Sequence, residues 1–463
     1  MQFPTGGKAH EPQGMIRCNS EADSTVWMKE DKDRCISLFE ICDICDGRCS
    51  EMILSFQSFF ILTVKQAVSN KKKMVLWRED LRGTFCYGNE ENGGYMTTDE
   101  SYMKMALKLA ECGIGAVNPN PLVGAVIVKD GRVIGKGWHA KYGGLHAERN
   151  ALADCKESPK GATIYVTLEP CCHYGKTPPC TEAILQSGIR RVVTGSADPN
   201  PLVAGKGIKI LQDAGLTVDT GVLKEECDAL NAVFFHYIKE KTPYVVMKYA
   251  MTLDGKIATA SGASKWITGE EARKNVQNDR NRYMAIMAGV GTVLADDPKL
   301  TCRIPGGRNP IRIICDSKLR TPFKSNVVAA ADEGKTILAT ACTDEEKIRP
   351  YLEAGCEVLT IPEKEGHIDL NVLMRLLGEK GIDSILLEGG GTLNYSALKQ
   401  GIVHKVQAYI APKLFGGADA KSPVEGCGVI LPADGFLILH PTIRKIGADI
   451  LIEGEVGDSC LRD

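Results

Sequence analysis

From residue 98 onward, short apolar runs of strand length alternate with helical periodicities, and this alternation narrows the folds open to the chain more than any other feature. Tyr102, Met105, Ala106, Leu109 and Ala110 recur at helix spacing, behind a capping candidate in Met96-Thr97-Thr98-Asp99-Glu100. Residues 122–128 read as a buried strand. Lys129-Asp130-Gly131-Arg132 is a hairpin turn of the Asp-Gly kind, leading into Val133-Ile134-Gly135. Residues 162–168 predict another strand, 181–187 a helix and 191–194 a strand. Strands interleaved with helices build a layered α/β sandwich. A charged segment closed by proline at 239–243 predicts a linker. Beyond it the alternation resumes, with strands expected at 244–251, 283–290, 311–315, 336–340, 385–387 and 405–410. This is a second α/β domain.

At 463 residues the chain has room for two to four domains. Its 44% apolar and 25% charged composition is that of a globular protein. A formal charge of −2 gives no global attraction for nucleic acid or anionic lipid. The longest apolar run, 52–64, is broken by Ser55, Gln57, Ser58 and Thr63, and spanning a bilayer takes about 20 apolar residues. A chain this long buries its own core without a disulfide framework, so the 18 cysteines point to a reducing compartment. The expectation is a cytoplasmic protein with no membrane and no nucleic-acid partner, self-association remaining open.

Residues 1–95 stand apart. They carry Cys18, Cys35, Cys42, Cys45, Cys49 and Cys86, the run Lys71-Lys72-Lys73, and no sustained helix or strand pattern. Cys42-x2-Cys45-x3-Cys49 has metal-like spacing but lacks a fourth ligand. The segment is expected to be a poorly folded extension upstream of a natural start at Met96.

The strongest chemical signal is His146-Ala147-Glu148, followed after the 162–168 strand by Pro170-Cys171-Cys172-His173 and then Pro178-Pro179-Cys180. Three nitrogen and sulfur ligands without an obvious fourth suit a catalytic zinc, because one position must stay open for water. Glu148, two residues beyond the histidine, is placed to shuttle a proton, the arrangement of the H-x-E…P-C deaminase signature. Eight residues separate Cys171 from Cys180, not the two of that signature, so on spacing alone Cys172 and His173 are rival ligands. A closed structural zinc site and metal-free buried cysteines are the plainer alternatives.

Asn118-Pro119-Asn120-Pro121-Leu122-Val123-Gly124, His146-Ala147-Glu148 and Thr167-Leu168-Glu169-Pro170-Cys171-Cys172-His173-Tyr174-Gly175-Lys176-Thr177-Pro178-Pro179-Cys180 together resemble the bifunctional riboflavin-biosynthesis deaminase/reductase family, over roughly residues 96–455. The long cysteine gap is usual there, whereas Cys172 stands where that family usually has serine. The resemblance implies a cytidine-deaminase-like three-layer sandwich over 96–240. His146, Cys171 and Cys180 would be the Zn²⁺ ligands and Glu148 the catalytic proton donor. It also implies a substrate pocket from Asn120, His139, Lys176, Asp198 and Asn200. The residue types make sense: an amide for the donor/acceptor edge of a pyrimidine, a lysine charge for a phosphate, and a turn-forming Asp198-Pro199-Asn200-Pro201.

In the second half, Glu388-Gly389-Gly390-Gly391-Thr392-Leu393-Asn394 follows the 385–387 strand and opens a helix, where backbone N–H groups can approach a pyrophosphate. A full G-x-G-x-x-G is absent, so a tight strand–helix turn reads equally well. Met251-Thr252-Leu253-Asp254-Gly255-Lys256-Ile257-Ala258, Ser264-Lys265-Trp266-Ile267-Thr268 and Gly291-Thr292-Val293-Leu294-Ala295-Asp296-Asp297-Pro298 resemble the reductase half of the same family.

That resemblance implies a dihydrofolate-reductase-like α/β domain over 241–457, followed by a tail at 458–463. The NADPH contacts it implies are Ala250, Trp266, Thr292, Asp296, Ser317, Gly390, Gly391, Thr392, Leu393, Asn394, Tyr395 and Ser396. Implied substrate contacts are Ser264, Arg280, Leu300, Arg303 and Glu388. Arg280 and Arg303 suit a phosphate clamp, and Glu388 suits the sugar hydroxyls. On residue type alone, Lys318 and Arg320 read either as a 2′-phosphate contact or as ordinary exposed basic residues. Lys248, a charge inside the apolar run 244–249, reads as a group that polarises the sugar carbonyl or binds phosphate, or else as an edge-strand lysine. The implied activity is deamination of a small phosphoribosyl pyrimidine, then NADPH-dependent reduction of its ribosyl group.

Overall fold

The computed structural model describes residues 15–19, 25–29, 75–79, 84–88, 97–175, 177–201, 203–331 and 334–457. The Cys42-Cys45-Cys49 motif, Lys176 and the 458–463 tail lie outside the described residues. Two compact units, Met1–Met105 and Ala106–Asp463, make up the chain. In the first, β1 (Met15–Asn19) pairs antiparallel with β2 (Thr25–Lys29), and β3 (Val75–Glu79) with β4 (Thr84–Gly88). The expectation of no strand pattern before residue 95 is thereby corrected. Helix α1 (Thr98–Glu111) begins at a reciprocal capping box, Thr97 N–H on the Glu100 carboxylate and Glu100 N–H on the Thr97 hydroxyl.

The first sheet of the larger unit has five strands. In chain order its elements are β5 (Gly124–Lys129), β6 (Arg132–Trp138), α2 (Ala147–Asp154), β7 (Thr163–Leu168), α3 (Cys180–Ser187), β8 (Arg191–Ser196), α4 (Lys206–Asp213), β9 (Thr217–Asp219), α5 (Lys224–Leu230) and α6 (Ala232–Glu240). Sheet order is β6-β5-β7-β8-β9, antiparallel as far as β7 and parallel from there. The β5–β6 turn has Asp130 and Gly131 both at positive φ, the geometry an Asp-Gly hairpin needs. Ala125, Ile127, Ile164, Val166 and Val192 pack one face of the sheet against Ala147, Ala151, Ile184, Leu211 and Phe234 of α2, α3, α4 and α6. The backbone of Ala106 in α1 lies directly over Gly124 on β5, where a β-carbon would come within 1.9 Å of the Ala106 carbonyl oxygen. The expected three-layer sandwich is present.

The second sheet has nine strands. Its elements run β10 (Tyr244–Thr252), α7 (Glu270–Arg282), β11 (Ala285–Gly289), α8 (Val290–Asp296), β12 (Ile311–Cys315), α9 (Asn326–Ala329), β13 (Thr336–Thr340), α10 (Glu345–Glu353), β14 (Glu357–Thr360), the small pair β15 (Glu363–Lys364) and β16 (His367–Ile368), α11 (Leu370–Glu379), β17 (Ser384–Leu387), α12 (Gly391–Lys399), β18 (Lys405–Ala411), β19 (Ile438–Ile446) and β20 (Asp449–Val456). Order is β14-β13-β12-β11-β17-β10-β18-β20-β19. It is parallel through β18 and closed by an antiparallel hairpin that the sequence reading did not foresee. Alternate residues of one strand feed opposite faces. Ala285 and Met287 pack with Leu373 and Ala397 of α11 and α12, while Ile286 and Ala288 pack with Val293, Val327 and Tyr351 of α8, α9 and α10. Helices therefore cover both sides, as a parallel sheet requires.

The expected linker is a pinned join. Lys241 ends α6 at positive φ and its carbonyl abuts Gly378 of α11, where a β-carbon would come within 1.9 Å; Tyr237 donates to the Gly378 carbonyl. Both sheets accordingly belong to one compact unit. Among the described residues no helix is long and apolar enough to cross a membrane.

Candidate active site

Local chain direction brings the metal-type donors together. His146 is the residue from which α2 departs, and Cys180 opens α3. Cys171 ends the excursion that follows β7, with its carbonyl accepting from the backbone of Cys180 and Thr181 at 3.1 and 3.2 Å. The ligand atoms of His146, Cys171 and Cys180 all lie within 4.8 Å of one another. His146 Nδ1 is 3.4 Å from Cys171 Sγ and 3.5 Å from Cys180 Sγ, and its Nε2 faces the Thr177 hydroxyl at 3.5 Å. The rivals Cys172 and His173 do not join this cluster.

The donor chemistry fits a divalent ion. A hydrogen bond from Cys180, and a further one from His146, hold the Cys171 thiol down at about 4. The same contact, together with burial, drives the Cys180 thiol the other way, so the pair shares a proton. Two thiolates this close are both ionised only when a cation sits between them. Two helix N-termini add their positive ends to the same spot.

Glu148, in the first turn of α2, is 3% exposed. Burial, with the Cys171 charge, pushes its carboxyl up to about 7, and it shares a hydrogen bond with Cys180. It is therefore a carboxyl able to gain and lose a proton near neutrality, at the edge of the donor cluster.

Of the expected pocket residues, Asn120 and His139 join this cluster. The His139 ring is 5.4 Å from that of His146. Its Nδ1 lies 3.0 Å from the Leu145 carbonyl and so carries the proton, leaving Nε2 to accept from Asn120 Nδ2 at 3.1 Å. Burial lowers the pKa of His139, keeping the imidazole neutral. Asp198 accepts from Asn200 N–H at 2.8 Å, an Asx turn that fixes both on one loop. Burial raises the Asp198 carboxyl to about 6.

Two supporting residues escaped the sequence reading. Arg149 donates to the Pro178 and Pro179 carbonyls at 3.2 and 2.8 Å, tying α2 to the loop that delivers Cys180. Glu169, 3% exposed, accepts from the backbone N–H groups of Asp198, Gly205, Gly207 and Ile208 and so holds the 198–205 loop. Nothing in one sequence distinguishes such a carboxylate from an ordinary polar residue.

The second cluster lies at the C-terminal ends of the parallel strands, where the sheet order reverses between β11 and β17, the position at which open α/β sheets bind their ligands. Helices α8 and α12 start there from Gly289 and Gly390, and a β-carbon on Gly390 would stand 3.7 Å from the Thr292 hydroxyl. Ser264 donates to Asp296 at 3.1 Å, and Ser317 accepts from Ile368 N–H. Asn394 is fully buried. Its Nδ2 bonds the Pro423 carbonyl, but its buried Oδ1 is unmatched. Gly391 is required by a close approach, since a β-carbon would fall 2.6 Å from the Ser422 carbonyl and 2.4 Å from Glu425 Cγ. The open helix ends and the unmatched amide fit a dinucleotide's phosphates and polar edge. Trp266 stands apart, 58% exposed and stacked 4.7 Å from the Arg273 guanidinium.

Three expectations need correction here. Arg280 is not an open phosphate clamp. Its Nε and Nη2 bind the two Glu388 oxygens at 2.7 and 3.0 Å, and Nη1 donates to the Thr301 carbonyl. A buried guanidinium beside a carboxylate pairs bidentately rather than waiting for a ligand. Arg303 remains exposed, its backbone N–H anchored on Gln277 one turn before Arg280. Lys248 is no edge lysine, because β10 lies between β17 and β18; its Nζ is 3.6 Å from Glu388 and 5.9 Å above the Tyr409 ring. Leu300 is 4% exposed with its side chain in the core, so only its backbone is available to a ligand.

Residues 96–196 match the cytidine and deoxycytidylate deaminase zinc-binding region, and 243–448 match the RibD C-terminal domain. The riboflavin biosynthesis protein RibD of Actinobacillus pleuropneumoniae is 53% identical over 368 residues, covering 80% of this chain and 98% of that one. The protein of the same name from Escherichia coli K12 is 42% identical over 367 residues, with 76% and 98% covered. A crystal structure of a Thermotoga maritima diaminohydroxyphosphoribosylaminopyrimidine deaminase/5-amino-6-(5-phosphoribosylamino)uracil reductase is similar at TM-score 0.68 and 39% identity, covering 78% of this chain and 99% of its own. Acinetobacter baumannii RibD gives a TM-score of 0.70 at 35% identity, with the same coverage.

Proposed function

Because the chain belongs to the RibD family of riboflavin-biosynthesis deaminase/reductases, we propose that its two clusters act in succession on one phosphoribosyl pyrimidine. The substrate is 2,5-diamino-6-(5-phosphoribosylamino)pyrimidin-4(3H)-one. Residues 96–240 hydrolyse its amino group to ammonia. Residues 241–457 then reduce the ribosyl group of the resulting aminouracil to ribityl. The observation that carries this reading is the convergence of His146, Cys171 and Cys180 with the buried Glu148.

In the first site His146, Cys171 and Cys180 would hold zinc, which when bound would supply a nucleophile by lowering the pKa of water toward about 7. Glu148 holds a proton at its carboxyl near neutrality and passes it to the ring nitrogen and the departing ammonia. Asn120 reads the donor/acceptor edge of the pyrimidine. Neutral His139 fixes the Asn120 amide by accepting from Nδ2. Asp198 and Asn200 line the same pocket on a loop that Glu169 holds, and Lys176 meets the phosphate.

In the second site Gly390 to Ser396, Thr292 and Asp296, at the two helix starts, would hold NADPH with Ala250, Trp266 and Ser317 beside them, and the bound cofactor would supply the hydride. Arg303 grips the substrate phosphate, with Ser264 and the Leu300 backbone beside it. Glu388 and Arg280 form a rigid pair that presents Lys248 to the sugar. The enzyme works on free metabolites in the cytoplasm, without nucleic acid. The exposed Leu437 and Ile443 on or beside edge strand β19 favour pairing with a second copy.

Incubation with the diaminopyrimidine phosphate, with and without NADPH, tests the reading when ammonia and cofactor absorbance are followed separately. Ammonia should appear without NADPH, and cofactor oxidation should follow it. A chelator should stop the first and spare oxidation driven by preformed aminouracil phosphate. Ammonia release undiminished after complete metal removal overturns the reading.

A further inference from the structure

Residues 117–120 close a backbone turn, with the Asn120 N–H donating to the Val117 carbonyl at 2.9 Å. The turn carries two asparagines with different anchors. Asn120 meets His139 beside the donor cluster. Asn118 Nδ2 donates at 2.7 Å to Asp383 Oδ2, which belongs to the other half of the chain at the start of β17. Asp383 is 1% exposed and firmly placed. Its second carboxylate oxygen accepts from the Ser384 hydroxyl at 2.5 Å, and its carbonyl accepts from Tyr244 N–H at 2.8 Å.

A second contact brings the same two halves together nearby. Gly115 lies flush against Asn281 of α7, where a β-carbon would fall 2.7 Å from both the backbone carbonyl and Oδ1 of Asn281. Asn281 is the neighbour of Arg280, the Glu388 partner. Between these anchors the turn borders a cleft whose polar lining includes Asn118, Asn120, Asn231, Arg282 and Asp383. Val117 in the turn and Leu122 just beyond it pack with Ala110, Ile114 and Leu230. That packing holds the ends of the turn, while the hydrogen bonds to Asp383 and His139 orient the two asparagines between them.

We propose that Asp383, acting through Asn118, is a positioning residue for deamination: the reductase half sets where Asn120 stands in the deaminase site. The inference rests on Asn120 as the pyrimidine contact. It also gives a physical reason for carrying both halves on one chain, since the first site borrows a buried carboxylate from the second. A hydrogen bond to a charged group fixes donor position more tightly than a neutral one, and a misplacement of about 1 Å can cost on the order of a hundredfold.

The test uses the full-length zinc-loaded chain. Asn118→Asp places two carboxylates together and should raise KM for the diaminopyrimidine phosphate about tenfold or more, with kcat changed far less. Zinc content, and NADPH oxidation on preformed aminouracil phosphate, should stay within about twofold of the parent. Asp383→Asn keeps an acceptor oxygen and should be mild. The double variant N118D/D383N reverses donor and acceptor and should return KM to within about threefold. An unchanged KM in N118D, a loss of both activities together, or no rescue in the double variant overturns the proposal. Asn120→Ala separates the two layers. A raised KM there beside an unaffected N118D sinks only the positioning role, whereas an unaffected N120A removes the reading of Asn120 and the proposal with it.

Discussion

Replacing Glu388 with glutamine tests the charge balance of the reductase site. Glu388 faces Arg280 at 2.7 and 3.0 Å and Lys248 at 3.6 Å, and all three side chains are 13% exposed. Burial pushes its carboxyl up, but the Arg280 and Lys248 charges outweigh burial and hold it at about 2, against 4.5 for a free glutamate. At about 1.4 kcal/mol per pH unit this difference is worth about 3 kcal/mol of folding free energy. The folded value lies below the unfolded one, so the contribution is complete above pH 4.5 and drains away as pH falls towards 2. Glutamine keeps an oxygen for Arg280 but leaves two buried cations without a counter-charge. Urea unfolding at pH 7, followed by circular dichroism, should show E388Q less stable by about 2–3 kcal/mol. By pH 3 the difference should shrink to about 1 kcal/mol, because the unfolded chain's carboxyl is by then protonated while the folded one is still mostly ionised. Equal stability at pH 7, or a gap unchanged down to pH 3, refutes the electrostatic account.

Glu148→Gln should keep its zinc by elemental analysis while ammonia release falls roughly 10²- to 10⁴-fold, the usual worth of a positioned acid–base group; oxidation of NADPH on preformed aminouracil phosphate should persist. Arg303→Ala should lower kcat/KM of reduction by about 10- to 100-fold, the value of a charged phosphate contact, and leave ammonia release unchanged. Gly391→Ala forces the 422–425 segment away from α12. It should raise KM for NADPH about tenfold, measured by initial-rate absorbance, with deamination intact.

Much of the deaminase cluster is legible because its chemistry is local. Histidine and cysteine are the commonest zinc ligands, the acid lies two residues beyond the ligand histidine, and His146, Glu148 and Cys180 fall at the starts of helices whose period is visible in the residues that follow. The apolar strands β5, β7 and β8 are legible for a similar reason, since both faces are buried and the runs are continuous. What fails is whatever depends on topology. The edge-strand alternative for Lys248 stays open in the sequence because the strands that enclose it, β17 and β18, arrive more than a hundred residues later. The β19–β20 hairpin was missed because its outer strand is almost wholly exposed and has no apolar alternation to read. Glu169, Arg149 and Asp383 act on backbone or on a partner distant along the chain, and a single sequence carries no trace of such pairings.

The two clusters handle charge in opposite ways, and the difference explains why only one of them calls for a metal. Around His146 the like-charged groups crowd together: one thiol is held low only because its neighbour is driven high, and Glu148 is forced toward neutrality beside them. Such a set reaches its deprotonated state only with a cation in its midst, so loading the ion and preparing the site are one event. Around Glu388 the charges already answer one another. Two cations enclose one carboxylate and leave a single surplus positive charge, and the exposed Arg303 is anchored through its backbone to Gln277, one turn of α7 before Arg280. That residue of charge suits a phosphorylated sugar and a reduced dinucleotide, both anionic, and requires no resident ion. A substitution that adds a carboxylate beside Lys248 would remove the surplus, and reduction should then weaken most steeply at low salt, where the attraction it cancels reaches furthest.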